Sequence, residues 1–330
     1  MRRLFRVAAA VLLFAFAAGV DAARAVIAVT SHGVVVATAG SIRLEGGWNV
    51  EGVRNPTSIE TSGNRVVVLD AIDDQAVVVD LDTGRTSRFA TAATPVAAQF
   101  AGNDLYILAR DANLVQRIGG ANVAVAADPA FISASEGRVF VYSRTAGMLQ
   151  EIEGDRIVRQ MQLAPFASDL EIDGTTAYLA YPCDARIRMI DLSTMQPAGE
   201  LAVGVVPVDI AFAGGGTAIT ARVLAIADPS AKRIWMVEGR QSLGKAVARG
   251  FVRGLLGLGL FNRSSQFPTG IDRVIVSGSL RVAYDSSSGT LYRFSPSGST
   301  AIATAVGAGA FAVSEEQIVW WDGERIHTVE

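Results

Sequence analysis

The sequence has few of the residues from which catalytic and metal centres are usually built. Cys183 is the only cysteine, and His32 and His327 are the only two histidines, in 330 residues. A single cysteine excludes an internal disulfide, so packing must stabilise the fold. No histidine lies near Cys183 in the sequence, which predicts a buried and inert thiol. Two histidines also disfavour a Ser-His-Asp triad or a histidine-rich metal centre.

Signature motifs of the common enzyme classes are missing as well. The sequence contains no Gly-x-Ser-x-Gly, no His-Glu-x-x-His and no Cys-x-x-Cys-His. Gly239 to Ala246 matches most of a phosphate-binding loop, but Ala246 stands where a Ser or Thr would bind Mg²⁺. We therefore expect no NAD, ATP or haem, and we assign no catalytic residue.

Charge is scarce, and its balance is negative. Only 18% of the residues are charged, 50% are hydrophobic, and the formal net charge is −3. Cleavage after Ala22 would remove Arg2, Arg3, Arg6 and Asp21, which takes the net charge from −3 to −5. A negative surface argues against nucleic-acid binding. The high apolar fraction predicts a large buried core.

The first 25 residues have the pattern of a secretory signal peptide. Three arginines precede an uncharged apolar run from Val7 to Ala18, and small residues follow. The run is shorter than the roughly 20 apolar residues that a membrane span needs. Cleavage after Ala22 or after Ala25 would fit a small-x-small site. The sequence therefore predicts a periplasmic or secreted protein, exported by the Sec or the twin-arginine route.

The rest of the chain, residues 26–330, repeats a unit of short apolar strands. The segments are rich in Val, Ile, Tyr and Phe and are separated by Gly, Asn, Asp and Ser, which predicts β-strands and turns. Copies begin about 34 to 42 residues apart, apart from one long copy, at Pro56, Pro95, Pro129, Leu170, Pro207 and Pro268. This period, with strands apolar on both faces, indicates the four-stranded blades of an all-β propeller.

The number of blades depends on what the two ends of the chain do. Six complete copies lie between Pro56 and Gly309, with partial copies at residues 26–52 and 310–330. Pairing the N- and C-terminal strands in one blade would close the ring without exposed edges and would give seven blades. His32 and His327 would then approach each other. Eight blades is the alternative, in which each end forms most of a blade.

One copy resembles a known repeat family. It contains Tyr178-Leu-Ala-Tyr, then Ile187-Arg-Met-Ile-Asp-Leu, then Val203-Gly-Val-Val-Pro. The order and spacing of these segments are similar to YVTN-type β-propeller repeats, best over residues 177–212 and partly elsewhere. Tyr181 stands where the family has Asn. The resemblance implies a propeller in an extracytoplasmic setting and implies little about chemistry.

Acidic residues recur near the first strand of several copies, where a propeller has its central channel. We predict a ligand or metal site at the channel mouth, formed by Asp169, Asp209, Asp272, Glu60 and Glu171. Carboxylates converging there would bind a divalent cation, with Ca²⁺ the best candidate, or would polarise a substrate as in calcium-dependent propeller lactonases. The other interpretation is that these acids bond to solvent or to backbone at strand starts.

Residues 241–266 interrupt the long copy with four positive and no negative charges. On a helix, apolar residues would face one side and basic residues the other. This pattern suits an anionic membrane or an acidic partner. The predicted docking residues are Lys245, Arg249, Phe251, Arg253, Leu255 and Leu258. Alternatively, the segment folds back over the propeller itself.

These features favour a monomeric binding or scaffold protein of the cell envelope, with a protein or small-molecule partner. The alternative is a metal-assisted, lactonase-like hydrolase that uses channel carboxylates.

Overall fold

Short antiparallel strands make up nearly all of the regular structure. The computed structural model describes residues 25–213, 222–239, 263–277, 279–295 and 298–330. These residues form eight sheets, seven with four strands and one with three, and a short 3₁₀ helix at Pro182–Asp184. Each sheet contains strands that are consecutive in the chain, and each strand pairs with the next. The predicted all-β propeller is confirmed.

The blades follow one another along the chain. Blade 1 contains β1 (Val26–Thr30), β2 (Gly33–Thr38), β3 (Ser41–Leu44) and β4 (Asn49–Glu51). Blade 2 contains β5 (Pro56–Ser62), β6 (Arg65–Asp70), β7 (Gln75–Asp80) and β8 (Thr86–Ala90). Blade 3 contains β9 (Pro95–Ala101), β10 (Asp104–Ala109), β11 (Leu114–Arg117) and β12 (Asn122–Ala124). Blade 4 contains β13 (Pro129–Ser135), β14 (Arg138–Ser143), β15 (Met148–Glu153) and β16 (Arg156–Gln162).

The second half of the ring repeats this order. Blade 5 contains β17 (Asp169–Asp173), β18 (Thr176–Tyr181), β19 (Arg186–Asp191) and β20 (Gln196–Ala202). Blade 6 contains β21 (Asp209–Ala213), β22 (Arg222–Asp228), β23 (Arg233–Gly239) and β24 (Arg263–Gln266). Blade 7 contains β25 (Arg273–Ser277), β26 (Leu280–Asp285), β27 (Thr290–Ser295) and β28 (Gly298–Ala303). Blade 8 contains β29 (Phe311–Val313), β30 (Ile318–Trp321) and β31 (Ile326–Val329).

The propeller has eight blades, so the prediction of seven is wrong and its alternative is right. The two ends of the chain do not share a sheet, because β1 to β4 already form a complete blade and β29 to β31 form another. The ring closes by packing instead. Strand β1 lies beside β29, and the N–H of Ile27 donates a hydrogen bond to the carbonyl of Gly309 at 3.1 Å.

The first strand of each blade lines the channel. Each of these innermost strands, β1, β5, β9, β13, β17, β21, β25 and β29, lies beside the next one around the ring, and β29 lies beside β1. We call the end of the ring where they begin the upper end. The connection between the second and third strands lies at the same end, because Pro95 pairs with Ala109 and Pro129 with Ser143. Proline is tolerated there because the first residue need not donate to the ladder.

The hydrophobic core lies between the blades. A separate cluster of apolar side chains fills the space between neighbouring sheets, such as Val66, Val68 and Val77 against Val35. The second strand of each blade is covered on both faces, which explains its continuous apolar sequence. Val66 to Leu69, for example, are completely buried.

The predicted insertion overlaps a strand of blade 6. Arg263 to Gln266 form β24 and pair with Arg233 to Met236, so the interruption ends before Arg263 rather than after Gln266. Residues 240–262 lie outside the described residues. In the described part of the chain, no helix is long and apolar enough to cross a membrane.

Candidate site at the channel mouth

Asp169 and Asp209 occupy the same place in neighbouring blades, at the start of the innermost strand. The Asp169 carboxylate accepts hydrogen bonds from the N–H of Leu170 at 2.8 Å and from the N–H of Ile210, in the next blade, at 2.9 Å. The Asp209 carboxylate accepts one from Val274, again in the next blade, at 2.7 Å. Both carboxylates therefore join their own blade to the following one.

The two carboxyl groups also interact with each other. Burial is the main cause that raises the pKa of both, and the charge of Asp169 raises the pKa of Asp209 further. The backbone N–H donors and the nearby Arg273 act in the opposite direction. The arrangement is a partly buried acid pair in which three of the four carboxylate oxygens accept backbone hydrogen bonds.

Arg273 is a member of this group that the sequence analysis missed. It is the first residue of β25, which corresponds to Asp169 in β17 and Asp209 in β21. Its Nη1 donates to the carbonyl of Ala308 at 2.9 Å, and its guanidinium lies 5.2 Å from the ring centre of Phe311 in blade 8. Aligning the first residues of the innermost strands would have identified it as a third contact between blades.

Glu60 and Glu171 lie further along their innermost strands, β5 and β17, and differ from Asp169 and Asp209 in their hydrogen bonding. Glu60 pairs with Val67 and Glu171 with Tyr178, so both occupy the same register position in blades 2 and 5. Their neighbours Ile59 and Leu170 pack on the preceding blade, so both carboxyls point towards the following one. Neither has a hydrogen bond or ion pair within the part of the chain that the structure describes.

Burial without partners changes how these two groups titrate. Desolvation raises the pKa of Glu60 to about 7 and, with a smaller contribution from the charge of Asp169, the pKa of Glu171 to about 8. At neutral pH a large fraction of each is a neutral carboxyl, which can donate a hydrogen bond as well as accept one.

Asp272 does not join the other acids. Its carboxylate accepts hydrogen bonds from the N–H of Ser286, at 3.2 Å, and from the Ser286 hydroxyl, in the connection between β26 and β27 of its own blade. The described residues contain no group of three or more His, Cys, Asp or Glu side chains placed to hold a metal ion. Three of the four carboxylate oxygens of Asp169 and Asp209 also accept backbone hydrogen bonds, which leaves these two residues fewer lone pairs for a Ca²⁺ ion.

The two histidines and the cysteine lie in three different blades, 1, 8 and 5. His32 is bonded to Asp82 at 2.8 Å and His327 to Asp322 at 2.6 Å, so each histidine has its own partner. Cys183 is exposed, in the 3₁₀ helix at the upper end of blade 5, and the prediction of a buried thiol is wrong. Cys183 lies two residues after Tyr181, the last residue of β18, in the connection to β19.

The predicted docking residues are outside the described structure. Lys245, Arg249, Phe251, Arg253, Leu255 and Leu258 all belong to residues 240–262. A cleft of about 450 Å³ lies elsewhere, at the lower end between blades 7 and 8. It is lined by Arg293, Glu315 and Glu316, among others, and none of the predicted site residues lines it.

Comparison with known proteins identifies the fold and leaves the family open. No protein-family model matches the chain, and no curated protein matches it either. The YVTN resemblance therefore stays a prediction. Solved structures with the same architecture are numerous.

Three of these structures cover most of the chain. The dihydro-haem d1 dehydrogenase NirN, in complex with DHE, is 10% identical over 93% of this chain and 72% of its own, with a TM-score of 0.62. BamB from Moraxella catarrhalis is 10% identical over 92% and 94%, with a TM-score of 0.59. Streptogramin B lyase is 12% identical over 83% and 92%, with a TM-score of 0.57. At such low identity the similarity establishes the fold alone, and the chain is a β-propeller.

Proposed function

We propose that this chain is an exported binding protein of the cell envelope, whose partner enters the channel from the upper end. The observation that carries the proposal is the pair of unpartnered carboxyls, Glu60 and Glu171. Both side chains are partly buried on innermost strands, where they are poorly solvated, and neither has a hydrogen-bond partner in the described residues. A ligand group that reaches these carboxyls would supply the missing partner.

A binding role has more support than the lactonase-like alternative. Metal-assisted hydrolysis needs several oxygen ligands free to converge on a cation, whereas the oxygens of Asp169 and Asp209 accept backbone hydrogen bonds. Calorimetry with Ca²⁺ and a lactone-turnover assay separate the two functions. Stoichiometric Ca²⁺ binding together with turnover that Asp169→Asn abolishes would establish the hydrolase instead.

Export is the second part of the proposal, and the structure favours one cleavage position over the other. Ala25 is only 5% exposed and belongs to the core that closes the ring, and Val26 begins β1. Cleavage after Ala25 would place a charged amino group on Val26, which is also buried, and burying a charge is unfavourable. We expect cleavage after Ala22, so that mass spectrometry of the protein from the periplasm or medium finds Ala23 at its N-terminus. A mature chain beginning at Val26, or one with the leader intact, would contradict this.

The test of the binding site is photo-crosslinking in the native cells. A benzoylphenylalanine side chain at Thr57, exposed at the upper end of β5, should give a discrete protein or ligand adduct. The same group at Ser87, exposed on the outer strand of the same blade, is the control and should give none. Glu60→Ala combined with Glu171→Ala should remove the Thr57 adduct. Equal labelling from both positions, or an adduct unaffected by the double substitution, would reject the channel as the binding site.

A further inference from the structure

Two arginines at the upper end have no acidic partner. Arg110 and Arg144 are equivalent residues in blades 3 and 4, each the first residue after the second strand. Their backbone N–H groups bond to Thr94 at 3.1 Å and to Asp128 at 2.8 Å, which fixes both in the same orientation relative to their blades. Neither guanidinium has an ion pair or a hydrogen-bond acceptor in the described ranges.

Several arginines elsewhere in the described residues have an acidic partner, such as Arg54 with Asp73 at 2.5 Å and Arg117 with Asp155 at 2.7 Å. In Arg110 and Arg144 the Nε atom is also buried and without an acceptor. A buried donor without an acceptor is costly, and a charged donor more so. The two guanidinium groups are therefore sites at which an added anionic group would lower the free energy.

Two aromatic residues, Phe131 and Phe166, lie beside Arg144. The Arg144 guanidinium lies 5.8 Å from the ring centre of Phe131, which is stacked on Tyr142. The carbonyl of Arg144 accepts a hydrogen bond from the N–H of Phe166 at 2.9 Å. The planar Arg144 side chain is thus held over an aromatic ring, a usual setting for a guanidinium that recognises a carboxylate.

Phe166 itself is exposed in an unfavourable backbone conformation. Its side chain is 59% exposed, although it is a large apolar group, and its φ is +65°. A bulky residue with positive φ is uncommon and costs free energy, and such residues concentrate at functional sites. It lies in the connection between β16 and β17, at the upper end, where its backbone is bonded to Arg144.

We propose that Arg110, Arg144 and Phe166 form a docking surface for an acidic peptide segment of a protein partner. Arg and aromatic side chains are the residues most often enriched at protein interfaces. The planar guanidinium matches a carboxylate with two parallel hydrogen bonds, and the exposed ring offers a contact for an apolar side chain beside it. The nearby Asp111 carboxylate accepts a hydrogen bond from the Thr94 hydroxyl at 2.6 Å. It forms no ion pair with Arg110 or Arg144 in the described residues. The proposal rests on the proposed binding function and adds the chemistry of the partner.

The test measures binding of two labelled peptides by fluorescence anisotropy. One is a 12-residue peptide of alternating Glu and Leu, and the other has Gln in place of every Glu. The acidic peptide should bind at least ~10-fold more tightly to the unmodified protein, and the difference should shrink as salt is raised. Arg110→Gln with Arg144→Gln should abolish the preference, and Phe166→Ser should weaken binding of both peptides.

Arg156→Gln is the matched control. Arg156 begins β16 at the lower end of blade 4 and is exposed. Its substitution removes one positive charge, as does each of the substitutions Arg110→Gln and Arg144→Gln. It should leave both affinities unchanged, and unchanged melting temperatures confirm that each variant is folded. Equal affinity for the two peptides, an equal loss in Arg156→Gln, or binding to phosphatidylglycerol vesicles in place of the acidic peptide would overturn the proposal. If the Thr57 adduct persists while the peptide preference is absent, this inference fails and the proposed function stands.

Discussion

Asp169 and Asp209 act at the scale of single residues to connect one blade with the next. An innermost strand has unpaired N–H groups along the channel, because nothing pairs with its inner edge. The carboxylates of Asp169 and Asp209 satisfy two of these, on Ile210 and Val274. The acids that the sequence marks as candidate ligands therefore have a structural role, whatever else they bind.

We expect Asp169→Ala to lower the free energy of unfolding by about 1–3 kcal/mol, because the N–H of Ile210 loses its acceptor. Asp169→Asn should cost less, since the amide oxygen can still accept. Urea unfolding of the two variants measures both values. Equal stability of Asp169→Ala and the unmodified protein would show that the contact between blades contributes nothing.

The two unpartnered glutamates should make stability depend on pH in an unusual direction. A carboxyl whose pKa is raised in the folded state binds its proton more tightly there than in the unfolded chain. Its contribution to the free energy of unfolding is therefore complete below the unfolded pKa of 4.5 and is lost as pH rises through the folded pKa. Those folded values are about 7 for Glu60 and about 8 for Glu171. We expect the melting temperature to decrease by roughly 5 °C or more between pH 5 and pH 9.

Replacing both groups provides the control for this profile. Glu60→Gln with Glu171→Gln removes the titration but keeps the size of the side chains, so most of the decrease should disappear, leaving the part that Asp169 and Asp209 contribute. A calorimetric series at five pH values is sufficient. A decrease of the same size in the double variant would assign the effect to other groups.

At the scale of strands, β24 was missed by the sequence analysis because it lies at the end of the predicted insertion. Its four residues, Arg263 to Gln266, are polar and follow a long stretch without a repeat pattern. They nevertheless complete blade 6, and Ser265 is buried, with its hydroxyl donating to the carbonyl of Ser295 at 2.7 Å. Pairing with β23 and contact with blade 7 define this strand, and neither is visible in a local pattern.

Two loop replacements should therefore have different effects. Replacing residues 241–262 with a short Gly-Ser linker should keep the melting temperature near that of the unmodified protein. Replacing 241–266 should lower it, because β23 loses its partner and becomes an exposed edge. The first variant also tests the proposed docking role of Lys245, Arg249 and Phe251. If it associates with the envelope fraction as strongly as the unmodified protein, that role is rejected.

At the scale of the whole molecule, stability depends on closure between the first and last blades. A core that includes Ile27, Tyr284 and Phe311 joins blades 7, 8 and 1. Phe311 is 5% exposed, and its ring centre is 4.9 Å from that of Tyr284. Blade 8 has only three strands, so this packing is what keeps the ring from opening beside it.

Phe311→Ala should cost about 3–5 kcal/mol, because it leaves a cavity in the closing core. Phe166→Ala is the matched control and should cost little, since that ring is mostly in solvent. Chemical denaturation of both variants gives the comparison. Similar losses from the two substitutions would mean that ring closure is not the source of stability.

The blade repeats were predictable from residues close together in the chain, whereas the closure of the ring and the partners of the acids were not. Strand pattern, turns and the start of copies at Pro56, Pro95 and Pro129 follow from local propensity, so the propeller was recognisable. The number of blades, eight rather than seven, depends on whether the two ends of the chain, about 300 residues apart, share a sheet. A local sequence pattern does not indicate whether they do. Likewise, only folding brings Asp169 to Ile210, 41 residues away, and leaves Glu60 and Glu171 without partners. Burial and pairing are properties of the assembled ring, and a carboxylate in the sequence looks the same whether its oxygens will be engaged or free.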